Sequence, residues 1–136
     1  MKAMRLCSPG APLRLEELAL APPGPHQVRI AVEACGVCRT DLHLLDAQLP
    51  DIPYPITPGH EIVGRVLECG PAVTRWRVGA RVGVPWLGAT CGLCRECREG
   101  RENLCPHSRF TGYTLDGGYA EQVLADEPGI DLSAVV

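Results

Sequence analysis

The sequence predicts a mainly β domain, a partly closed barrel of short strands with few and short helices. Three observations carry that expectation. Apolar residues alternate with a period of two in short runs, most clearly at Val28, Ile30 and Val32. The 15 glycines and 13 prolines are spread along the chain and punctuate it into many turns. Only residues 38–46 read as a helix. A chain of 136 residues fits one domain with a real core. Aromatic residues make up only 4%, so aliphatic side chains must fill that core.

Taken in order, residues 1–34 read as short strands, with a rigid turn at Pro22-Pro23-Gly24-Pro25 before the alternating run. The helix at 38–46 has Asp41 near its start and Leu42 and Leu45 as its apolar side. Pro50, Pro53, Pro55 and Pro58 make residues 50–58 an extended loop. Residues 62–67 read as a strand whose Gly64 suggests a bend or a close backbone approach. Residues 81–84 form another strand. Residues 88–109 are a lobe rich in Cys, Gly, Arg and Glu with little hydrophobic periodicity. Gly117 and Gly118 turn the chain into a last strand over residues 119–124.

Composition excludes several function classes. The net charge is −3 and no basic run is long enough to mark a nucleic-acid surface. No apolar stretch is long enough to span a bilayer. The first ten residues lack the apolar centre and cleavage site of a signal peptide. A cytoplasmic protein with no nucleic-acid or membrane partner is the expectation. Eight cysteines in a reducing compartment point to metal or catalysis before disulfides.

Cys91, Cys94, Cys97 and Cys105 are spaced by three, three and eight residues. Tight loops of this kind let successive thiolates converge on one cation. Zinc accepts four sulfurs tetrahedrally, and a closed four-cysteine shell leaves no position for substrate. The lobe has only Leu93 and Leu104 as clear apolar residues, so metal binding is its natural source of order. Two disulfides or free thiols are the competing readings. Cys7, Cys35 and Cys69 are scattered and read as buried small apolar residues. Elsewhere, Cys38 and His60 are good zinc ligands and Glu61 is an adjacent oxygen donor. Each alone is a weak signal, since a single histidine before a strand is usually a hydrogen-bonded loop residue. Thr40 could equally cap the short helix, and Asp41 could serve its dipole.

Four segments together carry a family resemblance. They are Gly36-Val37-Cys38-Arg39-Thr40-Asp41-Leu42-His43, Gly59-His60-Glu61, Gly79-Ala80-Arg81-Val82 and the 91–105 lobe. In order and spacing the chain resembles the N-terminal, GroES-like catalytic domain of zinc-dependent alcohol dehydrogenases of the medium-chain group. The resemblance implies a GroES-like barrel and NAD(P)-linked interconversion of a small alcohol with an aldehyde or ketone. It implies a catalytic zinc on Cys38 and His60 with Glu61 nearby, besides the structural zinc of the lobe. It makes Asp41 the partner that orients the His60 imidazole. Thr40 and His43 become the proton relay from the substrate alcohol. Arg39 would meet the cofactor pyrophosphate, and Leu49 and Trp86 would line the substrate pocket. His26 and His107 receive no role.

The resemblance covers residues 1–126, with residues 127–136 a non-matching tail. Ala80 stands where the family often has Asp. The family's third catalytic-zinc ligand and its coenzyme (Rossmann) domain have no counterpart, and no Gly-x-Gly-x-x-Gly turn occurs. The expectation is therefore a truncated or frameshifted product, or an excised domain, inactive by itself, with NAD or NADP bound only in a longer form. Homo-oligomer formation is open, as is the choice of alcohol. A non-enzymatic zinc-stabilised binding module is the alternative from another class, and a thiol redox sensor a third.

Overall fold

The structure, a computed structural model, describes residues 1–131. Its centre is a four-stranded antiparallel sheet in the order β5-β4-β3-β8. The strands are β3 (Gln27–Cys35), β4 (Ile62–Cys69), β5 (Arg81–Val84) and β8 (Gln122–Asp126). The alternation read from the sequence sets the sheet's inner face. Val28 and Ile30 of β3 are fully buried with Ile62 and Val66 of β4 and Val82 of β5, while Arg29, Arg65 and Arg81 point away from this core. All the residues of this buried cluster are Val, Ile or Ala.

Gly64 is a point of close approach. A Cβ there would lie 2.1 Å from the Ala31 carbonyl oxygen, so the strand pair closes only around a glycine. Two register shifts in the β3–β4 pair, at Arg29/Ile30 and Val32/Ala34, bend the sheet beside it.

Two smaller sheets flank the centre. β1 (Lys2–Arg5) pairs with β2 (Arg14–Glu17), and β6 (Leu87–Ala89) pairs with β7 (Arg109–Phe110). Single bridges, Ala3 to Ala120 and Leu6 to Ile56, tie the first sheet to the rest. The domain is thus mainly β, but the described strands form three linked sheets rather than a closed barrel. A second apolar cluster of Leu6, Leu44 and Ile56 joins the first sheet to the helix α1 (Arg39–Leu45).

Several expectations need correction. α1 buries Leu44 rather than Leu42, which stays 47% exposed. The inward side is the Asp41–Leu44 pair, one turn apart, because it faces both the site and the second cluster. The last strand begins at Gln122, not at 119. Residues 117–119 spend their N–H groups on the 57–59 loop instead, with Gly117 N to Thr57 O at 2.7 Å. β6 and β7 border the cysteine lobe and lacked a readable period. Cys7, Cys35 and Cys69 are half-buried rather than buried, and the Cys7 thiol contacts Glu16 Oε1 at 3.3 Å.

Residues 127–131 pack onto the domain. Ile130 is fully buried in the main cluster, Glu127 N donates to His26 O at 2.9 Å, and Asp131 N donates to Gly83 O at 2.9 Å. The Glu127 carboxylate accepts from the N–H groups of Thr74 and Arg75. Residues 132–136 of the expected tail lie outside the described residues. Among the described residues no helix is long and apolar enough to cross a membrane.

Candidate metal centres and the adjoining cavity

The four-cysteine lobe is built from turns. The short helix α2 (Arg95–Arg98) is capped by Cys94, and a 3₁₀ turn over Glu102–Leu104 delivers Cys105. The four sulfurs all lie within 4.8 Å of one another. Cys91 Sγ is 4.0 Å from Cys97 Sγ and 3.6 Å from Cys105 Sγ. Zinc–sulfur bonds of about 2.3 Å in a tetrahedron place sulfurs about 3.8 Å apart, so the cradle fits zinc. Backbone N–H groups point at the sulfurs, from Cys94 to Cys91 Sγ, Cys97 to Cys94 Sγ and His107 to Cys105 Sγ, each at 3.4 Å. No cysteine is paired in a disulfide.

Two further facts favour a cation here. Leu93 and Leu104 are 80% and 57% exposed, so the lobe has no apolar core of its own. The sulfurs are also in electrostatic conflict. The N–H groups of Leu93 and Cys94 lower the Cys91 pKa to about 6. For Cys94 the N–H of Cys97 favours the anion, yet burial and the neighbouring sulfurs outweigh it and push the pKa up to about 12. Thiolates this close cannot all ionise near neutral pH unless a cation neutralises them.

The second centre forms where α1 begins. Cys38 is the N-cap, its thiol accepting the Thr40 N–H at 3.3 Å. Asp41 completes a capping box by accepting the Cys38 N–H at 2.8 Å. The capping role considered for Thr40 therefore belongs to Cys38. The loop after β3 and the loop before β4 are joined by Gly36 N to Glu61 O at 2.8 Å, and this brings His60 over the cap. His60 Nε2 lies 3.1 Å from Cys38 Sγ, and its Nδ1 lies 3.4 Å from the buried Asp41 carboxylate. Donor atoms of Cys38, Asp41 and His60 lie within 4.8 Å of one another. A sulfur and an imidazole nitrogen on one tetrahedral zinc sit about 3.6 Å apart, so the pair fits with a small opening. Glu61 is exposed, outside that donor group, with its carboxylate beside Gly36.

A cavity of about 450 Å³ opens beside this centre. Its walls include Thr40, Asp41, His60 and Glu61 at one end and Leu49, Trp86, Phe110 and Tyr113 along the side. Trp86 stacks on Phe110 with centroids 5.8 Å apart, and Phe110 on Tyr113 at 6.1 Å. Phe110 and Tyr113 were not anticipated. Their only sequence signal is that two of the few aromatic residues stand three apart just after the lobe. His43 is half-buried one turn from Thr40 and bonds Gln48 Oε1. Arg39 is exposed and has no ion-pair partner among the described residues.

A small β domain with a four-sulfur cradle, and a sulfur–imidazole pair at the mouth of an apolar cavity, offers two places where a metal ion could be held. Residues 24–131 match the alcohol dehydrogenase GroES-like domain, and the chain belongs to that family. An alcohol dehydrogenase of Rhizobium meliloti (strain 1021) is 51% identical over 118 residues, covering 86% of this chain and 35% of that protein. One from Geobacillus stearothermophilus is 46% identical over 111 residues, covering 81% of this chain and 33% of its own length. The cobalt- and zinc-bound thermostable alcohol dehydrogenase from Pyrobaculum aerophilum superposes with a TM-score of 0.89 at 32% identity, covering 97% of this chain and 40% of that one. The chain therefore spans about a third of the length of these curated relatives.

Proposed function

We propose that this chain is the N-terminal catalytic domain of a zinc-dependent alcohol dehydrogenase, acting with NAD or NADP on a small alcohol or the matching aldehyde or ketone. The observation that carries this is the convergence of Cys38 Sγ and His60 Nε2 at 3.1 Å beside the apolar cavity. The lobe sulfurs would hold a structural zinc, and Cys38 and His60 would hold a catalytic one with Glu61 in reserve. Bound there, zinc supplies a Lewis acid for an alcohol oxygen.

The chain's own residues do the remainder. Asp41 favours a proton on His60 Nδ1, which would leave the Nε2 lone pair for the metal that Cys38 would also hold. The Thr40 hydroxyl, on the cavity wall, would take the substrate hydroxyl's proton while releasing its own onward. His43 lies on the same helix face three residues on and carries that proton to solvent. Leu49 and Trp86, with Phe110 and Tyr113, would line the apolar side of the cavity against the carbon that loses hydride. Arg39 is free to meet a cofactor pyrophosphate. Turnover belongs to a protein in which the nicotinamide is held against this cavity. The 136-residue chain alone is not expected to turn over.

Metal analysis tests the reading. Two zinc ions per chain are expected, falling to one in Cys38→Ala. A single zinc in the unaltered chain, lost in Cys97→Ala, would confine metal to the lobe and refute the catalytic site.

A further inference from the structure

The helix α1 ends in a turn that folds the chain back over His43. Ala47 takes φ +55°, a left-handed value more usual for glycine. That turn lets Ala47 N donate to Leu44 O at 3.2 Å and Gln48 N to His43 O at 2.9 Å. These are the paired bonds that close a helix through a left-handed residue and satisfy its last carbonyls. Their consequence is local. The Gln48 backbone is anchored to the His43 backbone, and the next residue, Leu49, lines the cavity.

The side chains of the same pair also meet. His43 Nδ1 lies 2.5 Å from Gln48 Oε1. An amide oxygen has no proton to give, so this bond requires the proton on Nδ1. A neutral imidazole carries one ring proton, and Nε2 then holds the ring's free lone pair. A solvated neutral histidine has the opposite preference and carries its proton mainly on Nε2. His43 is half-buried and Gln48 is exposed, so the pairing is set by the helix end and not by burial in the core.

We propose that Gln48 is a positioning residue for the proton relay: its side-chain oxygen holds the His43 proton on Nδ1 and so keeps Nε2 bare to receive the proton that Thr40 releases. Taking that proton makes an imidazolium, which returns to neutral by releasing one proton to solvent. Gln48 acts through His43 and touches neither metal nor alcohol. Without it, a histidine protonated on Nε2 would have to exchange that proton before it could accept another there. The proposal rests on the reading of Thr40 and His43 as a relay, but the tautomer itself is measured without metal or alcohol.

The test uses the reduced, metal-free 136-residue chain at a pH where the His43 ring is neutral. Nitrogen NMR of the assigned ring reports which nitrogen carries the proton. The unaltered chain should be mainly Nδ1–H, against the preference of a solvated histidine. Gln48→Met keeps a side chain of similar length and removes the acceptor. Its ratio of Nδ1–H to Nε2–H should fall by roughly two- to tenfold, the range of one net hydrogen bond. Gln48→Glu keeps an acceptor and should retain Nδ1–H. Gln48 is exposed, so both variants should fold as the unaltered chain does. The same ratio in all three proteins is what a purely structural role predicts, and it overturns the proposal. A mainly Nε2–H ring in the unaltered chain also overturns it, because the Gln48 amide would then be donating to a bare Nδ1. The relay reading fails by a different result. When the zinc-loaded chain is titrated with trifluoroethanol, ring-nitrogen shifts at His60 with none at His43 would place an alcohol at the metal that does not reach His43. That result overturns the relay role, whereas the tautomer ratio decides whether Gln48 places the proton.

Discussion

Ile130→Ala should lower the stability of the domain by about 3 kcal/mol. Ile130 is 0% exposed and belongs to the main apolar cluster. The change deletes the equivalent of about three buried methylene groups at about 0.8 kcal/mol each. The cavity left behind adds to that, and the total falls within the roughly 2–5 kcal/mol seen for such truncations. An unfolding entropy of about 2.1 cal/mol/K per residue gives about 0.29 kcal/mol/K for this chain, so Tm should fall by about 10 °C. Far-UV circular dichroism of the zinc-saturated chain would read the shift. Zinc must be held in excess for both proteins, because metal bound to the folded state alone raises Tm by itself. A fall of less than about 2 °C would mean that residues 127–131 do not complete the core, and that the bonds from Glu127 N and Asp131 N hold nothing of consequence.

The remaining predictions concern the lobe, the acid limb and the central sheet. Chelating zinc should strip hydrogen-exchange protection from the amides of Arg98, Glu99, Arg101 and Cys105, which are bonded only within the lobe. β3 and β4 should stay protected, since neither apolar cluster includes a lobe residue, and equal loss in both would refute this independence. Glu127 has its pKa lowered, first by the Arg75 N–H and also by the Thr74 N–H, against an opposing effect of burial. A lowered carboxylate stabilises the fold fully above its ordinary value of 4.5, and loses that contribution as pH falls through its folded pKa. Thermal melts of Glu127→Gln should therefore show a shallower decline on acidification below about pH 5 than the unaltered chain, and parallel declines would count against it. Gly64→Ala should cost about 1–3 kcal/mol, because its Cβ would strike the Ala31 carbonyl in a sheet that has no slack. Denaturant unfolding with an unchanged midpoint would show that β3 and β4 part easily there.

The parts of the fold that could be read from sequence are those where one local rule decides. The alternation at Val28, Ile30 and Val32 locates β3 because a half-buried strand needs a period of two. β5 matches residues 81–84 because its pattern is fully buried after Arg81. The four-cysteine spacing carries the lobe because convergence on one cation needs only short loops. What failed depended on contacts between distant segments. Leu42 and Leu44 are equally apolar, and only the presence of Leu6 and Ile56 on one side of α1 makes Leu44 the inward residue. Residues 119–121 have the composition of a strand, but the 57–59 loop and β1 claim their backbone groups first.

The candidate site divides in the same way, and the division bears on what the domain does. Cys38, Asp41 and His60 are legible as residue types, but their roles depend on a coincidence of two loops. Cys38 must cap α1, so its thiol is fixed by Thr40 N–H and its backbone by Asp41. Those constraints fix the Asp41 carboxylate without any contribution from His60. The 57–59 loop, held by the 117–119 turn, then brings in His60. Helix capping alone would keep Cys38 and Asp41, and a solvated loop histidine alone would keep His60. Neither explains why Nε2 meets the sulfur at 3.1 Å while Nδ1 meets the carboxylate. A cap whose side chains also sit in the candidate donor group couples that site to the helix. A substitution at Cys38 removes the helix cap and the contact with His60 together, whereas one at His60 leaves the cap and removes the contacts with Cys38 and Asp41. Both metal-free variants lose the Cys38–His60 contact, so Cys38→Ala should be less stable than His60→Ala by the capping contribution, about 1 kcal/mol for an ordinary N-cap, less the Asp41–His60 contact that only His60→Ala loses. Equal stability in the two metal-free variants would count against a thiol cap that holds α1.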